Sequence, residues 1–343
     1  MQGPLYKWIH RVWYADAGPV WPLLPFSALY WALIRLRGWC YRIGLLRQQR
    51  MPVPVIVVGN ITAGGTGKTP VTIWLASELK ARGFRPGIVS RGYGGSHSAS
   101  PMRVDAASDP SVVGDEPVLL ARRSTCPVVV DRDRVRAAQM LVDDGANLII
   151  ADDGLQHLKL GRSYEICVID GTRWLGNRRV LPGGPLREPA SRLANVDQIL
   201  VNGRCPEDCL LANEQNALEF QLQATEVRRL NGSLVRPMQN FAEQTVHAVA
   251  AIGNPGRFFD SLRAQGMQVI EHPLADHAPL DIEALNFADN FDILMTEKDA
   301  VKLGTQVADR FWFVPVELQM DASLAGPWLE QIESRMKKEL SQS

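Results

Sequence analysis

The sequence predicts an α/β protein: a mostly parallel sheet with flanking helices, joined through a two-stranded β-ribbon to a smaller C-terminal α/β unit. Three observations carry this. Short β-branched runs alternate with helical stretches from Pro52 to about residue 215, the pattern of parallel strands linked by crossover helices. A glycine-rich loop follows the first of these runs directly. Beyond residue 215 an alternating pattern turns at Asn231–Gly232 and gives way to a second set of short apolar runs, which is hairpin chemistry followed by a smaller sheet. The organisation expected is a basic aromatic N-terminal segment (1–50), a nucleotide-type domain (51–215), a β-ribbon linker (216–244) and a smaller α/β domain (245–343).

The N-terminal segment is distinctive. Residues 5–14, LYKWIHRVWY, mix aromatics with Lys7, His10 and Arg11, and residues 26–46 read as a helix loosened near Gly38. Five of the nine tryptophans (Trp8, Trp13, Trp21, Trp31 and Trp39) fall in the first fifty residues. The same fifty carry seven Lys or Arg against Asp16 alone, although the whole chain balances at zero. Tryptophan beside arginine suits a membrane interface, where rings sit at headgroup level and cations meet lipid phosphate. The competing reading is a helix packed on the core with its Arg ends reaching water. From Val20 to Ile34 there are fifteen residues interrupted by Pro22 and Pro25, too short for a span of roughly 20. No small-residue cleavage site follows them.

In the central region PVIVVGN (54–60) reads as a buried strand, 69–83 as a helix and 86–95 as a strand entering a Gly-rich turn. GSHSASP (95–101) is a polar loop. A helix over 115–124, a strand over 127–131, a helix over 133–145 and a strand over 146–154 follow, with further strands at 164–171 and 197–203. The tail, 328–343, reads as a short charged helix. Hydrophobic residues at 46% and charged residues at 22% are ordinary for a globular chain with a sizeable core. The net charge of zero argues against nucleic acid as a partner, and no obligate protein partner is evident. The five cysteines are scattered, and Cys205 and Cys209 lack a His at metal spacing. Free thiols in a reducing compartment are expected.

The strongest chemical signal is TAGGTGKT, spanning Thr62, Ala63, Gly64, Gly65, Thr66, Gly67, Lys68 and Thr69. It stands between a strand and a helix, the context of a P-loop. Small residues let backbone amides turn toward phosphate oxygens. Lys68 reaches the β- and γ-phosphates of ATP, and Thr69 holds Mg2+. A strict motif has Gly where this chain has Thr62, and the early signature lysine of dimerising switch ATPases is replaced by Ala63. The fold class is therefore P-loop NTPase-like. Asp152 and Asp153 end an apolar strand, and either suits the Mg2+ shell. Asp115 and Glu116 open a helix, where acids also complement the dipole. Arg91 and Tyr93 follow a strand on the ligand edge of the sheet. Arg187 lies in the Gly/Pro-rich loop LPGGPLREP, placed either to clamp a phosphate or to cap a turn. Asp276–His277 sit in an exposed loop able to present a base. TEKDAVK (296–302) reads as a charged helix start or as a device that closes the smaller domain over nucleotide.

VGNITAGGTGKTP, SRGYGG, GDEP, IADDGLQH, LPGGPLREP, ADH and TEKDAVK occur in this order over nearly the whole chain. Together they resemble the tetraacyldisaccharide 4'-kinase, or lipid A 4'-kinase, family. The resemblance implies a peripheral or monotopic enzyme on the cytoplasmic face of the bacterial inner membrane, an anionic surface. It implies MgATP-dependent phosphorylation of the 4'-hydroxyl of tetraacyldisaccharide 1-phosphate, the lipid A disaccharide precursor, to lipid IVA. It further implies Asp115 as the base, helped by His277, with Lys68 on the phosphates. Arg91, Tyr93 and Arg187 are the candidates for substrate contacts. Where relatives often carry a second His after the Asp-His pair, this chain has Ala278. Two rivals are a soluble P-loop small-molecule kinase or ligase, and a membrane-recruited ATPase switch.

Overall fold

A computed structural model describes residues 4–15, 20–96, 100–204, 217–304 and 309–342. Cys205, Cys209, Asp16, the tip of the polar loop and the side chains of Lys7 and His10 lie outside the described set. The strands are β1 (Val55–Gly59), β2 (Pro86–Ser90), β3 (Met102–Val104), β4 (Val128–Val130), β5 (Leu148–Asp152), β6 (Tyr164–Asp170), β7 (Gln198–Asn202), β8 (Ala217–Gln223), β9 (Glu226–Arg229), β10 (Val235–Pro237), β11 (Thr245–Ala250), β12 (Gln268–Pro273), β13 (Asp292–Thr296), β14 (Phe311–Val314) and β15 (Glu317–Met320). The α-helices are α1 (Pro4–Tyr14), α2 (Leu24–Arg42), α3 (Lys68–Ala81), α4 (Pro110–Val113), α5 (Asp115–Ser124), α6 (Arg134–Asp143), α7 (Pro255–Ala264), α8 (Glu297–Ala300) and α9 (Ala322–Leu340).

Two sheets organise the chain. The larger runs β15-β8-β7-β6-β1-β5-β2-β4-β3, parallel except for β15 and β3 at its two edges. Its central strands are buried along their whole length and mostly apolar, because both faces are covered. Alternate residues of β1 feed opposite layers: Ile56 and Val58 meet α3, α5 and α9, whereas Val55 and Val57 face α6 and the long loops. The smaller sheet runs β10-β9-β14-β13-β11-β12. Its first face packs Phe258, Phe259 and Leu262 of α7 against Trp312 and Phe241. Both sheets point the carboxyl ends of their parallel strands at a shared cleft.

Three parts differ from the sequence expectation. The alternating segment 217–237 is not one ribbon: β8 joins the larger sheet, and only β9 and β10 pair across Asn231–Gly232, in the smaller one. The last segment does not stay with the smaller unit. β15 returns to pair with β8, and α9 buries Trp328, Leu329, Ile332 and Met336 in the larger core. Trp328 stacks on Trp74 of α3 and donates to the Tyr164 hydroxyl at 3.1 Å, a long-range packing that local pattern cannot announce. Finally, α2 runs unbroken through Gly38 to Arg42.

The N-terminal helices are hydrogen-bonded to the segment 177–187, and of α2 Tyr30 packs against the core. Ser27 Oγ donates to the Val180 carbonyl and accepts from Gly183 N at 2.8 Å. A Cβ on Gly183 would lie 2.7 Å from that hydroxyl. Trp13 Nε1 donates to the Pro182 carbonyl, and Tyr30 donates to the Arg187 carbonyl. Ser27 is the one buried residue of α2. Phe26, Leu29, Trp31, Leu33, Leu36 and Trp39 are all exposed, Phe26 at 62%. Among the described residues no helix is long and apolar enough to cross a membrane.

Candidate active site

β1 delivers the chain into the glycine-rich loop, and α3 begins at Lys68. Gly64 and Gly67 adopt φ of +103° and +98°, backbone that a side chain would strain. A Cβ on Gly67 would also lie 2.8 Å from Asn202 Nδ2. Asn60 Nδ2 donates to the carbonyls of Thr62 and Gly64, which turns the loop's carbonyls inward toward the protein. The loop 181–189 braces it from outside: Ala63 N donates to the Pro185 carbonyl, Arg187 N donates to the Ile61 carbonyl, and Thr62 pairs with Leu186. Thr62, the departure from the strict motif, is 4% exposed and part of this brace.

The two candidate metal acids face different surroundings. Asp152 is buried and accepts from Thr72 Oγ1 at 2.9 Å. Burial above all, then Glu116 and Asp153, push its carboxyl up to about 7. Asp153 adopts a left-handed φ of +47° that swings its side chain out of the strand toward the cleft. It meets Lys68 Nζ at 3.5 Å and Arg187 Nη1 at 3.1 Å. Burial works against its charge, but Lys68, Arg187 and Arg134 hold it at about 2. Arg134, buried, donates to the carbonyls of both Asp152 and Asp153 and so fixes this strand end.

Asp115 is the first residue of α5 and 5% exposed. His277, from the loop after β12, places Nδ1 at 3.0 and 3.2 Å from its two oxygens. Lys302 lies 3.6 Å from the same carboxylate. Burial opposes the Asp115 charge, yet the His277 hydrogen bond and the Lys298 and Lys302 charges prevail and lower its pKa. Tyr93 packs edge-on to His277 at 4.8 Å.

These groups surround a cavity of about 800 Å³ between the two sheets. Its polar wall includes Gly64–Thr69, Asp153, Arg187, Tyr93, Glu116, His277 and Lys298. Its apolar wall, with Trp74, Leu222, Phe258 and Leu318, suits a flat ring. Of the site residues expected from sequence, Gly64–Thr69, Tyr93, Asp153, Arg187 and His277 line this cavity, while Thr62, Ala63, Asp115 and Asp152 do not reach its surface. Arg91 is exposed and lines a shallow depression with Arg132 rather than this cavity. Asp170, Asn202 and Arg257 were not anticipated. Arg257 of α7 donates to Asn202 Oδ1 at 2.7 Å and lies 3.8 Å from Asp170, while Asn202 Nδ2 donates to the Thr66 carbonyl. Asp170 and Asn202 end β6 and β7 on the ligand edge of the sheet, a signal the strand endings carried. Arg257 had no comparable marker.

The residues present fit a triphosphate. The buried Thr66 hydroxyl has no partner among the described residues, the loop glycines leave the cradle clear, and the Lys68 ammonium has only a loose ion pair. They also fit Mg2+, which takes one or two carboxylates and completes its shell with phosphate oxygens and water.

Both the sequence and the fold of this chain match known proteins. The family model described as tetraacyldisaccharide-1-P 4'-kinase matches residues 19–334. A tetraacyldisaccharide 4'-kinase of Nitrosococcus oceani is 45% identical, covering 97% of this chain and 96% of its own. That of Alkalilimnicola ehrlichii is 48% identical over 93% of this chain and 96% of its own. Among solved structures, LpxK from Aquifex aeolicus in complex with ATP superposes with a TM-score of 0.76 at 27% identity, covering 92% of this chain and 98% of that one. The chain therefore belongs to the tetraacyldisaccharide-1-P 4'-kinase family.

Proposed function

We propose that the chain transfers the γ-phosphoryl group of ATP to the 4'-hydroxyl of tetraacyldisaccharide 1-phosphate, giving lipid IVA. The observation that carries this reading is the Asp115–His277 pair, assembled from the two units, in which His277 lines the P-loop cavity and buried Asp115 stands directly behind it. Phosphoryl transfer asks a protein for alignment and charge stabilisation more than for covalent chemistry. The loop amides and Lys68 neutralise the γ-phosphoryl oxygens. The 4'-oxygen forms a bond to the γ-phosphorus as the bond to the β–γ bridging oxygen breaks, leaving ADP. The hydroxyl proton passes to Asp115, which its cationic neighbours keep ionised and ready to accept it. Thr69 and Asp153 would hold Mg2+, with Asp152 behind them held by Thr72; the ion supplies further neutralisation of phosphate charge. Arg187, against Asp153, and Tyr93, against His277, contact the substrate head.

The exposed apolar residues of α2 and the exposed Arg35, Arg37, Arg42, Arg47 and Arg50 support binding to an anionic membrane surface. Acyl chains would then stay in lipid while the sugar head enters the cleft, on the cytoplasmic face of the inner membrane. The test is incubation with MgATP and radiolabelled tetraacyldisaccharide 1-phosphate, read as a monophosphate-to-bisphosphate shift. ATP turnover that ignores the lipid acceptor would overturn the reading. For the membrane arm, Leu29→Ser/Trp31→Ser/Leu33→Ser protein should stay soluble where the parent floats with anionic liposomes; equal flotation rejects α2 as the anchor. Truncation is a poorer probe, because removing Ser27 also unclips the loop that braces the phosphate site.

A further inference from the structure

The geometry points to Lys298 as the positioning residue that fixes the tautomer of His277, so that the ring donates to Asp115 and cannot take the transferred proton. Lys298 Nζ lies 3.3 Å from His277 Nε2, 2.9 Å from Glu116 Oε1 and 3.6 Å from Asp276 Oδ1. An ammonium offers three donors and no acceptor. The nitrogen that faces it must therefore present a lone pair. The ring proton then sits on Nδ1, within hydrogen-bonding distance of both Asp115 oxygens. A doubly protonated ring would set an N–H against the ammonium.

Every group around the ring agrees. Asp276 Oδ1, on the same loop, is 3.7 Å from Nε2, beyond a hydrogen bond, and Lys298 shares it. Tyr93 meets the ring by an edge contact, and Lys302 addresses Asp115 rather than the imidazole. Burial opposes the Lys298 charge, but Glu116, Asp115 and Asp276 raise its pKa, so the donor stays charged.

The same segment holds the backbone on both sides of the ring. His277 sits at φ +59°, in the left-handed region that most side chains avoid and His adopts more readily, with its N–H on the Ala251 carbonyl. Fully buried Asp299 accepts from Ala251 N and from Lys302, and Lys302 donates onward to the Ala278 carbonyl. The charged run at 296–302 is a helix start, α8 capped by Thr296, and it carries Lys298 to the ring. It sets the orientation and protonation of one imidazole. The consequence, which rests on Asp115 as the base, is that the acceptor's proton passes to that carboxylate and not onto the ring.

Nitrogen-15 NMR of histidine-labelled full-length protein distinguishes the ring nitrogens, with His277→Gln protein assigning the signal. Wild-type protein should show a neutral ring protonated at Nδ1. In Lys298→Met the signal should move toward Nε2 protonation, and kcat should fall roughly tenfold or more with KM for MgATP within about twofold. Lys298→Arg should restore the tautomer and most of the turnover. An imidazolium or an Nε2–H ring in the wild type overturns the proposal, whatever the variants do. So does Lys298→Met protein that keeps both the tautomer and kcat. Should the Nδ1–H ring be found while Asp115→Asn keeps full turnover, the tautomer assignment stands and the base assignment falls.

Discussion

The carboxyl edges of the two sheets face one cleft but are built differently. The larger edge grips with backbone: glycines at positive φ, loop amides and one lysine, all within a few residues after β1. The smaller edge works through side chains that reach across, as His277 reaches Asp115, Lys298 reaches Glu116 and Arg257 reaches Asn202. A grip made of backbone exists before the units meet. A pair made of side chains from both exists only when they do. Nucleotide binding should therefore follow the first edge and transfer should depend on the second.

The sharpest way to break this division is Lys68→Ala. Turnover should fall by roughly 10³-fold with an unchanged circular dichroism spectrum, and wild-type turnover would remove the loop from the chemistry. Next, Asp115→Asn should lower kcat by roughly 10²-fold or more while ATP affinity by calorimetry stays within about twofold; equal losses would assign Asp115 to binding. Arg257→Ala sharpens the comparison, since this smaller-edge side chain reaches the phosphate loop through Asn202 and Thr66. KM for ATP should rise roughly tenfold with kcat nearly constant. A fall in kcat alone would place Arg257 with the transfer machinery.

The smallest effect lies behind the larger edge. Burial, then Arg134, press His157 down to about 4. The folded protein thus refuses a proton that the unfolded chain accepts at the ordinary histidine value of about 6.5. Stability should fall as pH drops from about 6.5 toward 4, and level off below. His157→Gln should flatten that slope by about 1–2 kcal/mol, discounted for the part-exposed ring, in urea melts at several pH values. An unchanged slope would show that the ring titrates freely.

Much of the larger edge was legible because its signals are local. The strand, the loop and α3 are contiguous, and Asp152–Asp153 end a strand visible in the residues LIIADD. Choosing between those acids was not possible from sequence. Adjacent strand residues alternate, and only the positive φ at Asp153 shows which one leaves the ladder. The smaller edge was legible as separate fragments, ADH and TEKDAVK, but not as one device, because Lys298 acts on His277 through folded proximity. For α2, composition allowed a packed or an exposed helix equally. Its contacts decide: one buried serine, against five buried residues in α9, a helix of the same length.

β8 and β15 are hydrogen-bonded partners, Gln223 opposite Glu317 and Phe220 opposite Met320, with every strand of the smaller sheet lying between them in the chain. The smaller unit is thus an insertion at the tip of a β-hairpin whose two legs belong to the nucleotide-binding body. Both tethers leave from the same spot, so the lobe joins the body through one narrow waist. Because α9 locks the far leg onto that body through Trp328, the lobe that carries His277 stands on a fixed mount opposite Asp115.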